Sequence, residues 1–348
     1  MLTLMAFQNR TIISVTPQGS KGFKEPQIAV ENDGHVYVAY GSGDATYVSV
    51  SKDSGINFSN PILVSQSGKL ALGMRRGPRI SAHNGTVTIS AIYGQTGKGQ
   101  DGDLVAFRST DHGATWSKAS RVSDVDGSAR EGLHAMAVAA DGTLACTWLD
   151  LRSKGTKLFM STSRDGGLSW EKNLLVYESP SGTICECCHP SLVFDKTSKL
   201  IVMFRNTLDG ARDMYLTSTV DRGKTFSPAT KLGKGTWMLD ACPMDGGMLS
   251  VAPEGQIQTI WRRENQVYVS TLGRDETALA SGKQPWIATG LNGEVAVVAS
   301  PQGIVMIPAG SIPTTLSPAG VDPVVASSPN HKIIVAAWAD YGIQLARL

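Results

Sequence analysis

The sequence predicts an all-β fold in which four-stranded antiparallel units close into one ring, a β-propeller, on three observations. The first is an octapeptide that occurs four times, at 51–58, 109–116, 163–170 and 219–226, each copy obeying Ser/Thr-x-Asp-x-Gly-x-(Ser/Thr/Asn)-(Trp/Phe). Its aspartates, Asp53, Asp111, Asp165 and Asp221, lie 54 to 58 residues apart, and a fixed period of about 50 residues marks a repeat architecture. The second is the order of segments around each copy. A short apolar strand meets an Asn/Asp-Gly-like turn, then come a second strand often ending in an aromatic, a loop, a third strand, the octapeptide and a fourth strand. The third is composition: 37 glycines and only 18% charged residues suit many short strands joined by tight turns.

Taken in order, Pro26–Glu31, Gly34–Tyr40, Tyr47–Ser51 and Asn60–Ser65 fill the four strand roles of the first unit, and His35-Val36-Tyr37-Val38-Ala39-Tyr40 shows the period-2 alternation of a strand. Further units begin near Pro78, His134, Pro190 and Gly246; in the last of these Thr271-Leu272-Gly273-Arg274-Asp275 stands where the octapeptide is expected. Glu294–Ser300 with Ile304–Pro308 reads as a short, degenerate unit, and Pro323–Ser327, Lys332–Trp338 and Ile343–Leu348 as three strands of a last one. Arg10–Val15 then supplies the missing fourth strand, so that the two termini share a sheet and the ring has no open edge. The count is seven units, or six if the short one is an insert, and all 348 residues form one domain.

Within each octapeptide the Asp accepts hydrogen bonds from nearby backbone N–H groups, the Gly supplies a positive φ, and the aromatic re-enters the apolar layer. The pattern resembles the Asp-box, or BNR, repeat of the sialidase-like β-propellers. That resemblance implies the propeller fold and, in its enzymes, a sugar carboxylate held by three arginines, an Asp acid/base and a Tyr nucleophile polarised by a Glu. The family's first arginine opens the first blade in an Arg-Ile-Pro motif. Here Phe23-Lys24-Glu25-Pro26-Gln27-Ile28 replaces it with Lys24, and Glu25 puts a negative charge beside it. The short loop Tyr40–Thr46 leaves Asp44 as its one candidate acid, with Glu131 and Tyr341 as further catalytic candidates.

Strand order sorts the loops. The octapeptides lie at the bottom with the first turns, among them His35, His83, His112 and His331, which read as solvated. Links between blades lie at the top, around the axis, where propeller sites usually form. These links and the neighbouring loops carry Arg76, Arg79, Arg130, Arg152, Arg205 and Asp245, candidates for binding a small anionic or glycan ligand. Alternatively, the same residues serve a glycoside hydrolase acting on anionic sugars.

Cys185-Glu186-Cys187-Cys188-His189 is the least ordinary stretch, and Cys242 and His134 enter the same mouth from the adjacent blades. Three readings stay open. Cys242 pairs with Cys187 or Cys188 in a disulfide and the protein is an interaction scaffold. Cys185, Cys187, Cys188 and Cys242 with His134 or His189 hold copper or zinc, since thiolate and imidazole suit soft metals. Or a thiol is redox-active or nucleophilic. Cys146 lies mid-strand and reads as a buried small hydrophobe.

A net charge of +2 offers no field for nucleic acid, and no apolar run nears the ~20 residues that span a bilayer. The chain is expected to be a monomer. Met1 to Arg10 lacks the features of a signal peptide; a periplasmic or extracellular location after removal of one is the favoured expectation, with a cytoplasmic one as the alternative.

Overall fold

The structure, a computed structural model, describes residues 11–348; the reading of Met1–Arg10 lies outside them. Seven antiparallel sheets surround one axis, and no helix occurs among the described residues. Blade 1 is Lys24–Val30, Val36–Ser42, Ala45–Ser51 and Ile62–Ser65. The first strands of blades 2 to 7 are Arg79–His83, His134–Val138, Ser191–Phe194, Met248–Val251, Lys283–Gly290 and Val321–Ser327. They line the axis, and each touches the next right round, Lys24–Val30 meeting both Arg79–His83 and Val321–Ser327. The six-blade alternative is thereby corrected. Glu294–Ser300 and Ile304–Pro308 are the middle strands of a full sixth blade, whose outer members are Lys283–Gly290 and Thr314–Ser317.

The second strands sit between neighbouring sheets and are buried on both faces, which is why they read as near-continuous apolar runs. Six of them place a large aromatic near the same end: Tyr40, Tyr93, Trp148, Phe204, Trp261 and Trp338, all buried. Each fills the wedge between two twisted sheets, where burying a ring contributes a few kcal/mol.

The ring closes as expected. Ile12–Ser14 pairs antiparallel with Ile343–Arg347, matching Ile12 to Ala346 and Ser14 to Gln344, and Val15 N–H then donates to the Ile343 carbonyl at 2.8 Å.

The octapeptides behave alike. Ser109 Oγ donates to Asp111 Oδ1 (2.7 Å) and accepts from Gly113 N–H (2.8 Å), while Thr115 donates both its N–H (2.9 Å) and its hydroxyl (2.6 Å) to the same carboxylate. The Thr115 hydroxyl and N–H together hold the Asp111 carboxyl down to about 2. The spacing explains three fixed positions of the motif. The residue before the Gly also takes a positive φ, 62° at Ser54, 57° at His112 and 62° at Arg222, a constraint invisible in the pattern because three different side chains meet it.

Removing residues 1–15 exposes the backbone edge of Ile343–Arg347. The truncated chain is expected to melt at a lower temperature and to self-associate through that edge, read by circular dichroism and size-exclusion chromatography; an unchanged monomeric melt would show that closure does not rest on this pairing.

Candidate functional site

The upper end of the axis is closed by arginines bonded to backbone carbonyls. Arg75, 1% exposed, reaches across from the link before blade 2 and donates through Nη2 to the carbonyls of Gln284 (2.9 Å) and Pro323 (3.1 Å), its guanidinium 5.1 Å above the Trp286 ring. Arg79 donates to the carbonyls of Arg75 (2.7 Å) and Pro78 (2.8 Å). Arg205 donates to those of Asp245 (3.0 Å) and Arg262 (2.9 Å). Asp245 in turn accepts from Gln284 N–H (2.8 Å) and pairs with Arg262 (2.9 Å). Arg152 is fixed by Asp150, Asp124 and Asn173 and lies 4.0 Å over the Phe159 ring. These groups tie links of different blades together.

Beside this plug lies a sulfur cluster. The link into blade 4 is anchored by Cys185 N–H on the Arg205 carbonyl (3.1 Å). It brings the Cys185 sulfur to 3.7 Å from that of Cys187 and 3.2 Å from that of Cys188. All three are buried, and all five cysteines of the chain are free thiols. The hydrogen bonds with Cys187 and Cys188 and, less, the nearby Arg205 guanidinium hold the Cys185 thiol well below the ordinary range; burial pushes Cys188 up. Cys242, exposed on the link into blade 5, neighbours Cys187, and Met244 packs against the three buried sulfurs.

The two histidines face elsewhere. His134 Nε2 bonds Ser90 Oγ (3.0 Å), and the His189 ring stacks on Trp286 at 5.7 Å. Burial keeps both neutral, with Arg79 adding to the effect at each. The ligand atoms that converge here are the three sulfurs.

On the outer side of the cluster Glu131 and Glu186 gather with Arg76 and Arg130. Burial raises the Glu131 carboxyl, helped by the charges of Glu186 and Cys187, while Arg76 and Arg130 pull it back. Arg76 also donates from Nε to the Glu131 carbonyl (2.8 Å). Asp44 is at the rim of blade 1, paired with Lys69 at 2.7 Å. Tyr341, 72% exposed, lines a separate upper cavity of about 620 Å³ between blades 7 and 1, with Phe23, Glu25, Met74, Asp322 and Asp340.

Glu25 corrects an expectation. Instead of adding negative charge, it is buried; that burial, reinforced by Asp322, pushes its carboxyl up to about 8, so it is mostly protonated at neutral pH. Its Oε1 accepts Arg75 N–H at 3.0 Å. Arg75 and Glu25 were not singled out as site residues from the sequence; their importance comes from a long-range crossing of the axis that no local pattern marks.

Residues 77–236 match the family described as a BNR repeat-like domain. No curated protein matches the chain by sequence. Among solved structures, an α-L-arabinanase of Penicillium chrysogenum complexed with arabinobiose is 13% identical with a TM-score of 0.58, each chain 97% covered. A Dyadobacter fermentans protein of unknown function is 13% identical with a TM-score of 0.57, covering 97% of this chain and 98% of its own. The Hadza microbial sialidase Hz136 is 12% identical with a TM-score of 0.51, covering 94% of this chain and 66% of its own. The chain is thus a seven-bladed β-propeller, a fold it shares with these structures. More narrowly, its four Asp-boxes and the matched segment are similar to those of BNR-repeat propellers.

Glu25 sets a pH dependence. Below about pH 4.5 the group is protonated folded and unfolded; between there and about 8 the unfolded chain ionises first. Stability therefore falls across this window, by roughly 4 kcal/mol from this group. Glu25→Gln keeps the acceptor for Arg75 N–H and is expected to flatten the stability profile from pH 4.5 to 8 in urea melts.

Proposed function

We propose that this chain binds a soft metal ion, Cu(I) or Zn(II), through Cys185, Cys187 and Cys188, with Cys242 as an exposed fourth sulfur, on the upper face of a carbohydrate-type propeller. The carrying observation is the spacing of the sulfurs. Bonds of 2.3 Å in a tetrahedral thiolate site put ligand sulfurs about 3.8 Å apart, and the two bonded pairs here stand at 3.7 and 3.2 Å. Cys185 is already held toward thiolate, and the Arg205 guanidinium offsets part of the negative charge that three thiolates bring. Metal uptake displaces protons from Cys187 and Cys188, so affinity rises with pH. Arg76, Arg130 and Glu131 border the cluster and suit a small anionic ligand arriving at the same face. The ligand set proposed is sulfur alone, since His134 and His189 turn toward Ser90 and Trp286.

Anaerobically purified protein is expected to carry about one copper or zinc per chain by elemental analysis. Cys187→Ser with Cys188→Ser should lower that at least tenfold while the far-ultraviolet spectrum stays unchanged. Wild-type protein with no bound metal after growth with both ions defeats the reading.

A second reading is favoured by one observation. Glu25, held protonated, lies with Asp322 and the exposed Tyr341 ring around one cavity, an acid, a second carboxyl group and an aromatic platform of the kind a glycoside hydrolase uses. Arabinanase and sialidase are the named activities of two proteins with similar folds. Turnover of fluorogenic sialosides or arabinosides, lost at least a hundredfold in Glu25→Gln, would support it; no turnover of either removes it.

A further inference from the structure

The geometry points to a second metal site, on the opposite face from the thiols, formed by Glu31, Asp33, His35 and His112 and suited to a borderline divalent cation such as Zn²⁺. The sequence reading placed both histidines in solvated turns. Instead they are half-buried and stacked on each other, ring centroids 4.3 Å apart and 23° from parallel.

Two blades build the cluster. Glu31 follows the first strand of blade 1, and Asp33 and His35 belong to the turn after it. His112 comes from the Asp-box of blade 2, where its backbone is pinned by N–H donation to the Gly85 carbonyl (3.2 Å). Glu31 spans the seam: Oε1 accepts Gly85 N–H (2.9 Å) and Oε2 accepts the Tyr37 hydroxyl (2.7 Å). That hydroxyl lies 3.0 Å from His112 Nδ1, which is itself 3.9 Å from Glu31 Oε2. His35 Nδ1 lies 2.9 Å from Asp33 Oδ2. One ligand atom from each of the four residues falls within 4.8 Å of all the others.

The chemistry of the set decides the ligand. Tetrahedral bonds of 2.0–2.2 Å to nitrogen and oxygen place ligand atoms about 3.4 Å apart, so small side-chain rotations convert this cluster into a coordination sphere. Imidazole with carboxylate suits zinc, nickel or cobalt, whereas the three sulfurs above favour softer ions. Charge agrees. Two carboxylates converge here, and the ion pairs they make among the described residues are with His35 and His112; a divalent cation balances them while the imidazoles stay neutral. Access is open as well: Glu31, Asp33 and His112 line the lower mouth of the axial cavity, about 870 Å³.

Cobalt distinguishes this site from the thiols. Titrating wild-type protein with Co²⁺ at pH 8 is expected to show one equivalent carrying a near-ultraviolet thiolate charge-transfer band and a second with ligand-field absorption alone. His35→Ala with His112→Ala should abolish the second equivalent and keep the first; His35→Gln, a smaller change that leaves the His112 ring in place, should weaken it at least tenfold and serves if the double variant unfolds. Ligand-field absorption without any thiolate band would sustain this site. The proposal is overturned if all bound Co²⁺ carries the thiolate band, if no Co²⁺ binds, or if the folded variants take up as much as wild type.

Discussion

Closure is the constraint on which the other features depend. An open row of seven sheets would leave the backbone edge of its last strand unpaired and the inner faces of its first and last blades exposed. Pairing Ile12–Ser14 with Ile343–Arg347 removes that edge and locks blade 7 against blade 1. Once the ring is closed, the first strands are fixed around the axis, and their upper ends form a crowded ring of backbone groups in which every buried carbonyl needs a donor.

Arginine meets that need because one guanidinium offers several donors in a plane and spans two strands at once. Arg75 joins the links of blades 6 and 7 from a position before blade 2, and Arg205 joins those of blade 5. The upper face therefore contains cations of two kinds. Those on the axis hold the ring together. Arg130, exposed, and Arg76, which makes one bond to the Glu131 carbonyl, stand at the rim beside the sulfurs. Sequence alone treats Arg76 and Arg79 as equals, three residues apart; both are buried, but the first turns to the Glu131 carbonyl and the second to the carbonyls of Arg75 and Pro78.

This is also where legibility stops. The Asp-box period, the alternating strands and the aromatic at the end of six of the second strands are local patterns, so blade order and loop sorting follow from them directly. The sixth blade read as a fragment because its first strand, Lys283–Gly290, opens with lysine and glutamine before Pro285 and Trp286 and carries no Asp-box after it. The lower histidines read as solvated because His35 and His112 lie 77 residues apart and meet only across a blade seam. The cysteines were legible as a cluster since three of them share one short link. The orientation of His189 was not: it is adjacent to Cys188 in sequence, yet its ring turns to Trp286 on blade 6.

The free thiols bear on which reading of the cysteines is physically economical. Three buried cysteines serving as small hydrophobes would be neutral thiols, packed like Cys146. Cys146 behaves that way: it is fully buried in a mid-sheet position, and burial pushes its thiol up. Cys185 is buried as deeply but moves in the opposite direction, because it shares hydrogen bonds with two neighbouring thiols and the Arg205 guanidinium stands near. Burying a charge is costly unless a partner compensates it, and an apolar core gives no reason to concentrate negative charge on one sulfur beside a cation. A metal ion does: it needs deprotonated sulfur, and the link that carries Cys185, Cys187 and Cys188 is held rigid by the arginine that closes the ring.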